Sequence, residues 1–246
     1  MRPELTFEMT VRYSDVGADG LARLAAVGNW LQEAAGRSAD LLHFGEADLL
    51  RRGLTWVLVR QRLDVRRLPA AGEALRIRTW PSTYARLGYR GYALHDAAGE
   101  KILDGVSAWA VMDVASRSMC PLPEEFLQEY PTDVHPVAPF SCKVLPRVKT
   151  VDAACPLRMR HDDLDLNGHV NNARYLSLLA ECLPAAERAA CALLDVTFRA
   201  ETFPGEDLLA VCGPAEAEDG GRGFRRALAL RRPGGEDVCR ALFTWV

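Results

Sequence analysis

The sequence predicts an α+β protein composed of two similar halves, in each of which a helix is followed by an antiparallel sheet. Three observations lead to this prediction. A polar turn that runs into an amphipathic helix occurs twice, each copy is followed by segments in which apolar and polar residues alternate, and a proline-rich stretch separates the halves.

Composition sets the general class. With 246 residues, of which 49% are hydrophobic and 26% charged, the chain is typical of globular proteins and can form one large or two small domains. The net charge of −3 gives no sign of nucleic-acid binding. We expect no membrane span, because no long apolar segment is present. The seven cysteines, an odd number without close pairs, indicate free thiols and a cytoplasmic protein.

The first half opens with residues 5–13, which alternate loosely enough for a strand. In the helix that follows, apolar residues recur at three- and four-residue spacing. Its buried stripe is predicted to contain Leu21, Leu24, Val27, Leu31 and Ala34. Beyond residue 44 the period changes to two, which predicts strands at residues 57–66, 75–79, 84–94 and 102–112. Arg60 and Arg62 are expected on the solvent-exposed face of the first of these strands.

The middle of the chain, residues 119–150, contains six of the 14 prolines. This concentration predicts a stiff and largely extended connector. We therefore expect an N-terminal domain at residues 1–125, a linker at residues 126–148 and a C-terminal domain at residues 149–246.

The second half opens with the segment on which the functional argument depends, residues 161–184. Asp163, Asp165, Asn167 and His169 occupy alternate positions, so an extended backbone would send all four to one side. Asn167 and Gly168 favour a turn, because both tolerate positive φ.

A helix is predicted directly after this turn. Its apolar stripe is expected to contain Val170, Ala173, Leu176, Ala180 and Leu183. Asn171 or Asn172 would cap the helix, and Pro184 would end it. Strands are predicted at residues 193–198, 208–212, 224–230 and 238–246.

The same turn and helix occur in both halves. Superimposing Asp15 on Asp163 places Gly20 on Gly168, which indicates a duplicated unit. The chemistry does not repeat, because Gly17, Asp19 and Leu21 take the positions of Asp165, Asn167 and His169. We predict one catalytic copy and one degenerate copy.

Three interpretations of the polar turn compete. It can be a capped turn before a helix, which is the commonest meaning of Asp followed by Asn-Gly. It can be a calcium loop, but Arg174 occupies the position of the bidentate Glu and excludes this. It can be an acid/base site, in which a carboxylate, an amide and an imidazole act on a small electrophile beside a helix N-terminus.

The string DLDLNGHVNNARY, residues 163–175, resembles the signature of the plant and bacterial acyl-acyl carrier protein thioesterases. In that family Asp-x-Asn-x-His-Val-Asn-Asn-x-x-Tyr opens the central helix of the C-terminal hotdog domain. The likeness extends to QEAAG and TWVLVR in the first half, to residues 78–81 and to residues 107–113. It implies two tandem hotdog domains, each with a long central helix wrapped by an antiparallel sheet.

The resemblance also implies the site. Asp165, Asn167 and His169 take the family's catalytic positions, and Glu201 takes that of a Glu in a Tyr/Phe-Arg-x-Glu-Cys context. Thr202 replaces the cysteine, so no thiol nucleophile is available there.

Water attack is therefore expected, with Glu201 as general base and Asp165 orienting His169 or Asn167. Backbone N–H groups of residues 168–170, or a side chain of Asn167 or His169, would polarise the carbonyl. A rival assignment makes Asp165 the base or nucleophile.

The implied function is hydrolysis of fatty acyl-acyl carrier protein to free fatty acid, in fatty acid biosynthesis, without cofactor or metal. The partner would be the acyl carrier protein, and the chain would be a monomer of two hotdogs or a homodimer. The N-terminal domain would house the acyl chain, in a slot shaped by Trp30, Trp56 and Leu58. Candidates for docking the acidic carrier are Arg51, Arg52, Arg60, Arg62, Arg66, Arg67, Arg76 and Arg78.

Two alternatives remain open at the level of sequence. One is a hotdog thioesterase that acts on acyl-CoA. The other is a catalytically silent pair of hotdogs that binds acyl chains or a partner, which explains less well why Asp, Asn and His stay together in one copy.

Overall fold

The computed structural model describes residues 4–84, 87–129, 140, 144–189, 191–218 and 223–246. Within these ranges the first half of the chain forms six strands and three helices. In chain order they are β1 (Leu5–Thr10), α1 (Leu24–Leu41), α2 (Glu46–Leu50), β2 (Leu54–Val65), β3 (Ala74–Tyr84), β4 (Leu87–Asp96), β5 (Lys101–Asp113), β6 (Met119–Cys120) and α3 (Glu124–Glu129).

The described part of the second half contributes six strands and two helices. They are β7 (Ala153–Arg158), α4 (Asn172–Ala180), α5 (Ala185–Ala189), β8 (Leu193–Phe198), β9 (Asp207–Cys212), β10 (Glu216–Ala217), β11 (Phe224–Arg231) and β12 (Asp237–Trp245). Both polar turns begin with a short 3-10 helix, at Tyr13–Asp15 and at His161–Asp163.

The chain divides into two compact units. One contains Met1–Ala22, Asn29–Gln61 and Arg66–Pro139, and the other contains Arg23–Gly28, Arg62–Val65 and Phe140–Val246. In the first unit the strand order is β1-β3-β4-β5-β2, and β6 pairs with β5. In the second the order is β8-β12-β11-β9-β7, and β10 pairs with β11. The neighbouring strands from β1 to β5 by way of β3 and β4, and from β8 to β7 by way of β12, β11 and β9, pair antiparallel.

The two polar turns have the same backbone hydrogen bonds. In the first, Gly17 N donates to Leu21 O (2.8 Å), Gly20 N to Gly17 O (3.0 Å) and Ala22 N to Pro69 O (2.9 Å). In the second, Asp165 N donates to His169 O (2.8 Å), Gly168 N to Asp165 O (3.1 Å) and Val170 N to Thr202 O (2.9 Å). Gly20 and Gly168 have φ values of +78° and +77°, a conformation that glycine adopts without strain. The duplication seen in the sequence is therefore a duplication of backbone geometry.

Most of the predicted strands are present, with ends shifted by a few residues. The predicted strand at residues 84–94 starts too early, because Tyr84 still belongs to β3. The sequence patterns do not predict strands β6, β7 and β10 or the short helices α2, α3 and α5. The expectation that Arg60 lies on a wet face is wrong, since only 8% of Arg60 is exposed, and it is therefore a poor candidate for docking a carrier.

Helix α4 begins where the sequence predicts. Asn171 is its N-cap, and its side chain accepts a hydrogen bond from Ala173 N (2.9 Å). All five residues of the predicted apolar stripe are buried, although the helix ends at Ala180 and is shorter than expected. It packs against β9 and β11.

Much of the predicted linker, residues 126–148, lies outside the described residues. In the part that is described, α3 occupies its start, and Arg147 Nη2 donates to Gly235 O (3.1 Å) near its end. None of the helices in the described ranges is long and apolar enough to cross a membrane.

Candidate active site

The polar turn before α4 is held closed by the carboxylate of Asp165. Its Oδ1 accepts hydrogen bonds from the backbone N–H of Asn167 (2.9 Å) and from that of His169 (3.4 Å). Residues Leu164 and Val170 pair on either side of the turn as a short antiparallel bridge. The loop that presents Asn167 and His169 is therefore ordered by Asp165 and by its own backbone.

The imidazole of His169 faces the carboxylate of Glu201. The distance from His169 Nδ1 to Glu201 Oε1 is 3.6 Å, and the two side chains are 23% and 36% exposed. Glu201 follows β8 by three residues, so the sheet and the turn together create this proximity. A separation of 3.6 Å is longer than a good hydrogen bond, as is common in catalytic sites without substrate.

A third group contacts the imidazole. The ring of Phe203 meets the ring of His169 edge-on, with centroids 5.0 Å apart and an interplanar angle of 84°. Phe203 is 45% exposed, so it forms an apolar border of the site that solvent can still reach. His169 is thus placed between an acidic and an aromatic side chain.

The four predicted site residues are not equally placed. His169 and Glu201 lie side by side, and Asp165 supports the loop that carries His169. Asn167 lies at the exposed apex of the turn, next to Leu166, which is fully exposed. Its amide is accessible to a bound substrate.

The expectation that backbone N–H groups of residues 168–170 polarise the carbonyl is wrong. Gly168 N donates to Asp165 O, His169 N to Asp165 Oδ1 and Val170 N to Thr202 O. The turn uses these donors to hold itself together. Side-chain donors of Asn167 and His169 are the alternative that the geometry retains.

Asp163 is a structural residue. Only 4% of it is exposed, and its carboxylate accepts bonds from Arg174 Nη2 (2.7 Å) and from Arg160 N (2.9 Å). The alternating Asp163, Asp165, Asn167 and His169 therefore do not share one side, because the 3-10 helix turns Asp163 inward.

Two cysteine-related expectations concern this half. Cys182 is 7% exposed, and a hydrogen bond with Cys212 together with burial raises the pKa of its thiol. These properties oppose a nucleophilic role for Cys182 and are typical of a cysteine that fills space in the interior. Thr202, at the position of the family's cysteine, is fully buried and hydrogen-bonded to Tyr175 Oη (2.7 Å).

Sequence reasoning missed Arg232. Its Nη2 donates to the main-chain carbonyl of Glu201 (2.7 Å). It lies just past the end of β11, far from the signature in sequence, and no local pattern marks it. Within the described ranges no group of three or more His, Cys, Asp and Glu side chains forms a metal site.

The family assignment follows from comparison with known proteins. Residues 4–130 match the family model of the acyl-ACP (acyl carrier protein) thioesterase N-terminal domain, and residues 148–246 match that of the C-terminal domain. The chain belongs to the acyl-ACP thioesterase family.

Curated relatives from plants carry related names. The chain is 29% identical over 251 residues to "Acyl-[acyl-carrier-protein] hydrolase FATB3, chloroplastic" of Cuphea viscosissima, covering 96% of this chain and 61% of that protein. It is 30% identical over 208 residues to "Palmitoyl-acyl carrier protein thioesterase, chloroplastic" of Arabidopsis thaliana, covering 78% and 50%. The chain thus spans about three fifths of the length of the first of these family members and half of the second.

Solved structures of the family establish the fold. An acyl-ACP thioesterase from Bacteroides thetaiotaomicron superimposes with a TM-score of 0.86 at 24% identity, covering 99% of this chain and 98% of that one. The "12:0-ACP thioesterase from Umbellularia californica" gives 0.85 at 24% identity, covering 99% and 94%. The predicted α+β fold of two tandem hotdogs is confirmed.

Proposed function

We propose that the protein hydrolyses fatty acyl-acyl carrier protein to free fatty acid and the free carrier thiol. The observation that carries this proposal is the 3.6 Å approach of His169 Nδ1 to Glu201 Oε1, beside a turn locked by Asp165. The names of the family's matched members, hydrolases and thioesterases of acyl-ACP, support the substrate class.

In the proposed reaction Glu201 accepts a proton from a water molecule as that water attacks the thioester carbonyl. The carbonyl oxygen becomes an oxyanion, which a side-chain donor on Asn167 or His169 stabilises. The C–S bond then breaks, the carrier thiolate takes up a proton, and the fatty acid leaves as a carboxylate. The structure favours Glu201 over Asp165 as base, because Asp165 Oδ1 already accepts two backbone hydrogen bonds.

Substitutions of Glu201 and Asp165 distinguish the two candidate bases, and a substitution of Asp19 serves as the control. Asp165→Asn keeps an acceptor oxygen for the turn, and Asp19→Asn makes the same change in the degenerate copy, where Asp19 Oδ1 accepts from Leu21 N (3.0 Å). We expect Glu201→Gln to lower kcat by about 10²- to 10⁴-fold. Asp165→Asn should lower it less, and Asp19→Asn should leave it unchanged. A large loss of kcat in Asp165→Asn, with Glu201→Gln near wild type, would establish the rival assignment.

The carrier is tested by steady-state hydrolysis of acyl-ACP and matching acyl-CoA over a series of chain lengths. We expect a higher kcat/KM for acyl-ACP. Preference for acyl-CoA would replace the carrier assignment, and binding of acyl chains without turnover of either substrate would identify a silent acyl-binding protein.

We propose that the N-terminal domain houses the acyl chain. Support comes from its apolar interior, in which Trp30 and Leu58 are buried and Trp56 packs against Phe126 with ring centroids 5.6 Å apart. Leu58→Ala should shift the preferred chain length upward, whereas Leu41→Ala, at a position 67% exposed, should not. Unchanged preference in the Leu58 variant would contradict this assignment.

We further infer a place in fatty acid biosynthesis and a reducing, cytoplasmic environment. The six described cysteines are all free thiols, which supports the second inference. We also propose domain limits of 1–125, 126–148 and 149–246, and the matched ranges 4–130 and 148–246 support a division of this kind. Light scattering after gel filtration distinguishes a monomer of two hotdogs from a homodimer.

A further inference from the structure

Arg232 connects three acidic segments around the site. Its Nε donates to Glu206 Oε2 (3.0 Å), its Nη1 to Glu236 Oε2 (2.7 Å) and its Nη2 to the carbonyl oxygen of Glu201 (2.7 Å). The side chain is only 27% exposed. A planar guanidinium can serve three such acceptors at once, which a lysine ammonium at this distance cannot do with the same geometry.

Through Glu206, Arg232 also supports the aromatic border of the site. Glu206 Oε1 accepts a hydrogen bond from Phe203 N (3.0 Å), and Glu206 N donates to Phe203 O (3.2 Å). Phe203 in turn contacts the ring of His169. One guanidinium therefore fixes both the main chain of the acid and the turn that bears the ring against the imidazole.

A second element holds the same segment. From α4, Tyr175 Oη hydrogen-bonds to Thr202 Oγ1 (2.7 Å), and Thr202 O accepts from Val170 N (2.9 Å). These bonds attach residue 202 to the helix and to the polar turn. The carbonyl oxygen of Glu201, one residue earlier, accepts its hydrogen bond from Arg232 instead.

The degenerate half holds the equivalent turn with an acid at the position of Arg232 and with its arginine in the loop. Glu73 accepts from Ala70 N (3.0 Å), just as Glu206 accepts from Phe203 N. The arginine partner of Glu73 is Arg67, which lies in the loop itself and also bonds to Asp96 (2.8 Å). Asp96 is the positional counterpart of Arg232, because Asp96 N bonds to Glu100 O as Arg232 N bonds to Glu236 O.

Both halves therefore stabilise this turn with one arginine and two acids. In the catalytic half the arginine comes from the hairpin and reaches the main chain of Glu201. Stability alone does not require this exchange, since the arrangement in the other half also closes the turn.

We propose that Arg232 is a positioning residue that holds Glu201 at its working distance from His169. This inference rests on the proposed function for its catalytic consequence, but its geometric content does not. Without Arg232, the carbonyl of Glu201 loses the guanidinium donor, so the main chain that carries the carboxylate is held less firmly opposite the imidazole.

The test compares Arg232→Ala with Asp96→Ala, which removes the ion pair of Asp96 with Arg67 at the counterpart position of the degenerate half. For Arg232→Ala we expect kcat on acyl-ACP to fall by about 10- to 100-fold, as misplacement of a reacting group by about 1 Å can cause. KM should change by less than about threefold, and millimolar guanidinium should restore part of kcat. Asp96→Ala should lower Tm by a similar amount but keep kcat, and Glu236→Gln, at a carboxylate 60% exposed, should change neither.

Equal losses of kcat in Arg232→Ala and Asp96→Ala, or no loss in the former, would overturn the inference. If Arg232→Ala does not fold, Arg232→Gln and Glu206→Gln take its place. A crystal structure of the variant provides a readout independent of turnover, and we expect the separation of His169 Nδ1 from Glu201 Oε1 to exceed 3.6 Å. A wild-type protein inactive on acyl-ACP would refute the proposed function, whereas an unchanged separation in the variant would refute the positioning role.

Discussion

Two glycines of α1 are expected to respond in opposite directions to the same substitution. A Cβ built on Gly28 would lie 2.8 Å from Ala173 Cβ and 3.0 Å from Ala173 Cα, at the first turn of α4. A Cβ on Gly36 would meet nothing within 4 Å. Alanine in place of helical glycine normally stabilises a protein by about 1 kcal/mol. Overpacking against rigid neighbours costs about 1–3 kcal/mol.

Gly36→Ala should therefore raise the free energy of unfolding by about 0.5–1 kcal/mol, and Gly28→Ala should lower it by up to about 2 kcal/mol. Urea denaturation followed by circular dichroism measures both. Because α4 follows the polar turn directly, Gly28→Ala should also lower kcat, while Gly36→Ala should not. Stabilisation by Gly28→Ala equal to that by Gly36→Ala would show that the residues around Gly28 accept an added methyl group without cost, and would refute this reasoning.

Three further outcomes follow from buried polar groups. Asp237, whose side chain is 1% exposed, accepts hydrogen bonds from Arg231 Nε (2.7 Å) and Arg240 Nε (2.9 Å). Asp237→Asn should therefore lower the free energy of unfolding, measured by urea denaturation, by about 3 kcal/mol. The neighbouring Glu236→Gln should lower it by less than about 0.5 kcal/mol. Burial acts to raise the pKa of Asp237, but the two arginines outweigh it and hold the pKa below 3.8. The stability that results is present above pH 3.8 and is lost as the pH falls through the pKa of the folded state. The Asn variant should not show this loss in acid titration. Burial raises the pKa of Tyr175 to about 12, so its hydroxyl stays neutral at working pH; Tyr175→Phe should cost about 1–3 kcal/mol by leaving its buried hydroxyl partner unpaired, and an unchanged Tm would contradict this.

Local signals in the sequence were sufficient for the helix and the turn of the site. Asn171 caps α4 as predicted, since an N-cap depends only on residues within one turn. The strands of both halves were also located, because alternation with a period of two is a property of each segment by itself. Strand β7 was missed because Pro156 and the surrounding residues do not alternate clearly.

Other features depend on contacts between distant segments. The proximity of Glu201 to His169 was inferred only through the family resemblance, because it arises from the pairing of the polar turn with the segment after β8. The prediction of backbone oxyanion donors failed because a free N–H in the sequence can be consumed by the turn that it helps to form. Arg232 carries no sequence signal, since its role depends on where the β11–β12 hairpin brings its guanidinium.

The hydrogen bonds shared by the two turns identify equivalent positions that sequence superposition alone does not. Ala22 N reaches Pro69 O as Val170 N reaches Thr202 O, so Leu68 is the counterpart of Glu201. An aliphatic residue thus stands where the second half carries the acid of the proposed site, and the first half shares the backbone of the turn without that acid. Five replacements would place the residues of the proposed site, together with the counterpart of Arg232, on the backbone of the first half. They are Gly17→Asp, Asp19→Asn, Leu21→His, Leu68→Glu and Asp96→Arg.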